Sequence, residues 1–382
     1  MKRASPVRLQ RLKRDFVDSC PTLPGLKRIG IFLESLSLDD TFAFARLADE
    51  RGFDSAWFPE ITWSDAFSLA TAAAMGTKRI KLATGVVGIF SRSPALMAMS
   101  IAGLDELSGG RAVLGLGTQA KTYVELWHSA KFEKPVARMR EYVAALRKIL
   151  QNPFNLTSYK GRIFDIQGFV LTVKPKAQRI PIYAAAIGPQ MQRVAGQVAD
   201  GVLGYFYSVK YVKEKLIPRL REGAERSGRD LKSENFDIAV GFPALVSDSD
   251  QRYEMIKPIV AVFTVAVGSS PFYRTILEDL GFSENVKAVT ERMMDGDVEG
   301  AVKRIPDEMA RQVTLCGTSS EIRHRIDEYR SAGVTLPLLN PTPPYAYYPL
   351  FPKHLPEKLG AGRFDYGGLR EQVRSVIVSV AD

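Results

Sequence analysis

From residue 28 onward, short apolar runs alternate with amphipathic stretches. RIGIF (28–32), DSAWF (54–58), IKLAT (80–84) and AVLGLG (112–117) are compact and apolar, as buried strands are. Between and after them lie DDTFAFARLADERG (39–52), AFSLATAAAMG (66–76), the stretch 93–107 and PVARMREYVAALRKIL (135–150). In the first of these, Phe42, Ala45, Leu47 and Ala48 form an apolar stripe. Asp39 or Asp40 caps it and Gly52 ends it, so the spacing predicts a helix. The alternation resumes with strands at IPIYAAA (180–186), DGVLGYF (200–206), FDIAVGFPALV (236–246) and VTLPLL (334–339). Helices are expected at 188–199, 210–227 and 317–333.

Strands alternating with helices over short joints imply parallel βαβ units. Eight of them predict an α/β fold, a (β/α)8 TIM barrel. A doubly wound open sheet is the alternative, but no G-x-G-x-x-G follows the first strand. Two insertions interrupt the repeat. After strand 4, residues 152–179 hold YKGRIFDIQGF, a hairpin-like excursion. After strand 7, residues 268–312 are long and partly helical, which reads as a lid or outer bundle. The tail, 341–366, is rich in Pro, Tyr and Gly and is expected to wrap the barrel; 367–380 reads as a closing helix. No interdomain linker is visible, so 28–382 reads as one barrel domain behind a basic extension, 1–27.

Composition narrows the function classes. Two cysteines, Cys20 and Cys316, argue against a disulfide framework and suit a reducing cytoplasm. No apolar run is long enough to span a membrane. The net charge of +10 is partly explained by Lys2, Arg3, Arg8, Arg11, Lys13 and Arg14. A nucleic-acid arm and a solvated extension both account for that cluster, and loosely held termini favour the second. Neither nucleic acid nor membrane is an expected partner.

Barrel chemistry sits at strand C-termini and the loops beyond them. At the end of strand 2, WFPEITW gives Trp57, Glu60, Thr62 and Trp63, where a carboxylate beside aromatic groups can orient a flat heterocycle or act as a base. A helix-capping role for Glu60 is the competing reading. After strand 3 comes Thr84-Gly85-Val86-Val87-Gly88, too rich in glycine for a regular strand. After strand 4, Gly115 and Gly117 let something flat approach the backbone, and Thr118 and Gln119 offer donors and acceptors. After strand 5, Pro189 fits a first helical position, and the amides of that helix start suit an anion. His128, His324 and His354 have no ligand spacing, so no metal site is expected. No P-loop and no G-x-S-x-G elbow occur. Glycine-rich strand ends without acid–base clusters point to a bound organic cofactor that carries the chemistry.

The stretches LDELSGGRAVLGLGTQ (104–119), TGVVGIFSRSPALMA (84–98) and PIYAAAIGPQMQRVAGQVADGVL (181–203) resemble the bacterial luciferase-like superfamily. They look most similar to its coenzyme F420-dependent oxidoreductase branch, over roughly residues 28–340. The resemblance implies F420 or FMN bound at the strand C-termini. It implies hydride transfer between the deazaflavin C5 and an organic small-molecule substrate, with Glu60 and Gln119 as candidate catalytic residues. It places a cis peptide at Gly85–Val86 and a phosphate loop at Ala185, Ala186, Ile187 and Gly188. It puts Glu60 at the ring's polar edge, with Thr84, Gly85, Val86, Thr118 and Gln119 around the ring. It also implies a homodimer. Two positions depart from the sugar-phosphate dehydrogenases of the branch: Ile61 stands for a histidine and Ala120 for a glutamate. That substrate is therefore not carried over. Lys121 is a candidate for an anionic substrate or the cofactor tail. An FMN-dependent monooxygenase and a non-catalytic flavin or deazaflavin carrier are the alternative readings.

Overall fold

Eight short parallel strands close into a ring. They are β1 (Gly30–Phe32), β2 (Ser55–Phe58), β3 (Lys81–Thr84), β4 (Ala112–Gly117), β5 (Ile182–Ala185), β6 (Gly201–Tyr205), β7 (Asp237–Val246) and β8 (Leu336–Asn340). Each pairs with the next in sequence, and β8 closes on β1 through Gly30↔Leu338 and Ile31↔Leu339. This computed structural model describes residues 28–34, 37–62, 64–265, 272–341 and 366–381. The expected basic extension, Trp63, His354 and nearly all of the expected wrapping tail lie outside those residues.

The strands are near-continuously apolar because both their faces are covered. Alternate residues point to opposite sides. Phe32, Trp57, Ala83, Val113, Tyr183, Leu203 and Leu338 fill the lumen. Ile31, Phe58, Leu82, Leu114 and Ile182 face the outer helices. Trp57 lies at the centre of the lumen, its ring 6.3 Å from Phe32 and 5.4 Å from Tyr183.

The outer layer is α1 (Leu38–Glu50), α2 (Ala66–Gly76), α3 (Pro94–Ser108), α4 (Pro135–Leu150), α5 (Pro189–Val198), α6 (Ile217–Glu225), α7 (Ser319–Ser331) and α8 (Tyr366–Ala381). Local sequence sets their ends. Asp65 accepts from the Phe67 and Ser68 amides at the start of α2. Ser93 and Pro94 open α3, and Gly109, left-handed at φ 73, closes it. Thr318 and Glu321 form a capping box on α7. The hairpin Thr157–Lys160/Asp165–Phe169 lies between α4 and β5. Between β7 and α7 the chain forms further helices, Arg252–Thr264, Phe272–Glu278, Ser283–Met294, Val298–Val302 and Asp307–Val313. It then returns as a short strand, Leu315–Gly317, on the far end of β7.

A polar clamp ties the N-terminal end of the barrel. Arg28 donates to both Asp237 oxygens at 2.7 and 3.0 Å and to Asp54 at 2.9 Å. Tyr183 and Thr335 also donate to Asp237. This leaves the opposite, C-terminal end free to carry a site.

Candidate functional site

A cavity of about 590 Å³ opens over the strand C-termini. Its walls come from Phe32 and Glu34 after β1, Glu60 and Ile61 after β2, and Gly85 and Val86 after β3. The loop after β4 adds Gly117 to Lys121, and Ala185, Ile187 and Gly188 come from the β5 side. Phe263, Phe272 and Tyr273, from the helices between β7 and α7, add to it.

The glycine-studded stretch after β3 is a β-bulge. Leu82 pairs with Ala112, and Val87 pairs with Leu116. Five steps along one strand therefore oppose four along the other, so one residue is extra. The Gly85–Val86 peptide inside the bulge is cis. Thr84 Oγ1 bridges the gap, donating to the Gly115 carbonyl and accepting from its amide, both at 2.9 Å. Thr84 is thus fully buried behind the wall, and the expectation that it faces a cofactor is corrected. The glycines of β4 prove to be filled by the chain itself. A Cβ on Gly115 would lie 2.1 Å from the Thr84 carbonyl oxygen, and one on Gly117 would lie 2.4 Å from a Val86 methyl.

Glu60 is on the wall but its carboxylate is committed. Arg92 binds Oε1, and the Ala66 amide donates to Oε2 at 3.1 Å. Both side chains are mostly buried, and the Arg92 guanidinium also lies over the Phe67 ring. Gln119 has a left-handed backbone at φ 54. Its amide nitrogen reaches the Glu60 carbonyl at 3.4 Å. Its Oε1 is buried without a partner among the described residues and occupies the space where a Gly88 side chain would stand. The Gln119 side chain therefore ties two loops together on the cavity wall. Glu60 and Gln119, the two expected catalytic residues, thus both lie on the cavity wall, each with a contact to a neighbouring loop. Thr118 and Lys121 lie on the wall, Lys121 exposed at the rim. Trp57 lies in the lumen, 1% exposed.

One acidic group was not anticipated from sequence. Glu34, two residues beyond β1, is 4% exposed on the cavity wall. Asn340 at the end of β8 donates to Glu34 Oε1 at 2.8 Å and to the Tyr205 hydroxyl at 3.0 Å. Tyr205 in turn packs against Phe32 and Phe263. The signal was present in GIFLE, a carboxylate just past a strand C-terminus, the same rule that pointed to Glu60.

After β5, Ala185, Ile187 and Gly188 line the cavity, whereas Ala186 is fully buried and turns away from it, a correction to the expected four-residue contact. Pro189 is the first residue of α5, as expected. A Cβ on Gly188 would lie 2.6 Å from the Phe272 ring, so this loop and the insertion touch only because position 188 has no side chain. Among the described residues no group of three His, Cys, Asp or Glu side chains could hold a metal ion. Burial pushes the Cys316 thiol up to about 12, which leaves it a packing residue.

The luciferase-like monooxygenase family profile matches residues 26–336. A 5,10-methylenetetrahydromethanopterin reductase of Archaeoglobus fulgidus is 34% identical over 300 residues, 76% of this chain and 86% of that one. The solved coenzyme F420-dependent tetrahydromethanopterin reductase of Methanopyrus kandleri superposes with a TM-score of 0.74 at 25% identity, covering 91% of this chain and 97% of that one. The oxygenating component of 3,6-diketocamphane monooxygenase from Pseudomonas putida, solved with FMN, shares the fold at a TM-score of 0.62 and 17% identity, over 93% of this chain and 98% of that one. With the closed barrel, the bulge after β3 and a match over most of its length, the chain belongs to the luciferase-like monooxygenase family, among whose F420-dependent oxidoreductases it finds its relatives.

Proposed function

We propose that this protein is an F420-dependent oxidoreductase acting in the cytoplasm on a small organic substrate. The observation that carries the reading is the cavity itself, bounded by the bulge wall of Gly85 and Val86 on one side and the start of α5 on another. Its volume and mostly apolar lining suit a flat tricyclic ring with a ribityl chain. The Ile187 and Gly188 amides have no acceptor among the described residues, which suits the phosphate at the end of that chain. F420 supplies a hydride donor or acceptor at its C5 carbon when bound. Gly85, Val86, Gly117, Thr118 and Ala185 then shape the ring's berth, and the Glu60–Arg92 pair holds the loop after β2 against it.

Glu34 is the group we assign to proton handling. Hydride transfer to the carbon of a C=O or neutral C=N bond leaves the oxygen or nitrogen in need of a proton. The Glu34 carboxyl, fixed by Asn340 in an aromatic surround, is placed to hold one. Ile61 and Ala120 make the wall apolar where the sugar-phosphate dehydrogenases carry a histidine and a glutamate. A sugar phosphate is therefore not the substrate we read. The same reading carries a homodimer. Leu96, Met99, Gly103 and Leu107 lie along one side of α3, the three larger residues exposed and Gly103 with open space above it. Sedimentation should show a dimer that Met99→Lys dissociates.

Titration of the purified protein with F420 and with FMN, followed by fluorescence, tests the cofactor. F420 is expected to bind at micromolar concentration or tighter. FMN binding without F420 binding would sink this reading in favour of a flavin monooxygenase.

A further inference from the structure

The loop that carries the start of α5 is held from behind by a hydrogen-bonded cluster. Gln192, fully buried on α5, places its amide nitrogen 2.9 Å from the Ile187 carbonyl and 3.4 Å from the Ala186 carbonyl. The same nitrogen lies 3.1 Å from the Tyr207 hydroxyl and 3.0 Å from the Tyr211 hydroxyl. Tyr207 donates to the Ala186 carbonyl, and Tyr211 donates to the Ile187 carbonyl at 3.3 Å. Arg219 Nη1 donates to Gln192 Oε1 at 3.0 Å and to the Tyr211 hydroxyl at 3.1 Å.

The direction of this cluster is fixed by its ends. A guanidinium only donates and a carbonyl only accepts, so every intervening proton points toward the loop. This also sets the Gln192 amide, with its oxygen toward Arg219 and its nitrogen toward the carbonyls. Burial raises the pKa of the Tyr207 hydroxyl well above the usual range, so it stays a donor.

The geometric consequence falls on the other side of the loop. Gln192 and Tyr207 do not reach the cavity, whereas Ile187 and Gly188 line it. Two consecutive carbonyls, Ala186 and Ile187, are drawn away from the cavity. In a trans peptide the N–H points opposite to the C=O. The next two amides, Ile187 and Gly188, therefore turn toward the cavity, beside the unpaired first-turn amides of α5.

We propose that Arg219, Gln192, Tyr207 and Tyr211 are positioning residues that aim the Ile187 and Gly188 amides at the phosphate of the bound cofactor. The proposal rests on the cofactor reading above for the identity of the ligand, but the amide cradle itself does not depend on which ring is bound. None of the four residues needs to touch the ligand. Their effect is a preference for phosphate-bearing over phosphate-free forms of one ring.

The test compares dissociation constants of the full-length protein and its variants for F420 and for 8-hydroxy-5-deazariboflavin, which has the ring and ribityl chain without the phosphate. FMN and riboflavin form a second such pair. Tyr207→Phe and Tyr211→Phe should each weaken the phosphorylated ligand by about tenfold or more and leave the phosphate-free one unchanged. Arg219→Lys, which keeps the charge and a donor, should restore most of what Arg219→Met loses. An equal loss for both members of a pair, or no loss, overturns the proposal. Should Tyr207→Phe fail to fold, Tyr211→Phe and the Arg219 variants decide the matter by the same comparison. Should neither F420 nor FMN bind the wild type, the cofactor reading fails, and calorimetry with inorganic phosphate decides this one. Phosphate binding weakened by Tyr211→Phe supports it, and absence of phosphate binding overturns it.

Discussion

The Arg92 guanidinium and the Glu60 carboxylate close on each other at the rim of the cavity, joining the loop after β2 to the start of α3. The contact is 18% and 14% exposed at the side-chain level, so solvent screens it only partly. Removing either partner alone leaves Glu60 with only the Ala66 amide, or Arg92 with only a longer ion contact to Asp65 at 3.8 Å. Arg92→Met and Glu60→Met should each destabilise by about 2–3 kcal/mol, and the double variant by less than the sum. Urea unfolding of the four proteins measures the coupling. Strict additivity would show that the pair does not anchor the loops.

Asn340→Leu removes the amide that binds both Glu34 and Tyr205. A loss of about 1–3 kcal/mol is expected, read from the denaturation midpoint. Glu34→Gln is the complementary change, because it keeps shape and removes the ionisable group. Cofactor affinity should hold while turnover falls by about a hundredfold or more. Turnover at the wild-type rate would remove Glu34 from the chemistry.

Gly115→Ala and Gly117→Ala look alike in sequence and should behave differently. At Gly115 the new methyl meets the Thr84 backbone oxygen, which cannot move without undoing the bulge. A cost of about 3 kcal/mol or more, or failure to fold, is expected. At Gly117 the obstacle is a Val86 side-chain methyl, which can rotate into the cavity. That variant should fold with a smaller loss and bind cofactor more weakly, since Val86 lines the berth. Thermal melts and cofactor titration of the two variants check this contrast.

Acid should loosen the opposite end of the barrel. Burial acts to raise the Asp237 pKa, but hydrogen bonds from Arg28, Tyr183 and Thr335 and the Arg28 charge outweigh it, and the carboxyl is held below its ordinary value. A depressed folded pKa contributes stability that is complete above the unfolded value of about 3.9 and is lost as pH falls through the folded one. Wild-type stability should therefore drop below about pH 4. Asp237→Asn should be less stable at pH 7 and lose less on acidification. Parallel pH profiles for the two proteins would place the acid sensitivity elsewhere.

Strands and helices were legible because each carries its own local signal. AVLGLG became β4 over the same six residues, and Pro135 and Gly76 bound the helices that their positions foretold. The hydrophobic runs are buried on both faces, so tertiary context reinforces local preference. The bulge was legible only through its resemblance to a family. Nothing local in TGVV says that one residue is extra; that follows from the register with a strand 30 residues away. The site side chains were least legible. Glu60 and Gln119 have the chemistry of an active site, but their partners, Arg92 and the Glu60 backbone, come from other loops. Tyr211 and Arg219 fall within a helix expected from sequence, and Tyr207 falls between it and the preceding strand, with nothing to mark any of them. Their convergence on Gln192 depends on the packing of α5 against α6, which no periodicity records.

The long β7 strand reaches past the barrel, and its last residues, Ala244 to Val246, pair with Leu315 to Gly317 as the insertion returns. The helix that bears Phe263 begins six residues beyond the end of β7. The excursion thus leaves β7 as its own continuation and returns to it by backbone hydrogen bonds, like a bracket fixed at two points. Residues inside the bracket can be exchanged without unpicking the ring of eight strands. On the cofactor reading proposed above, substrate choice would be modular: the barrel would hold the ring, and the bracket, which brings Phe263, Phe272 and Tyr273 to the cavity, would shape what meets it.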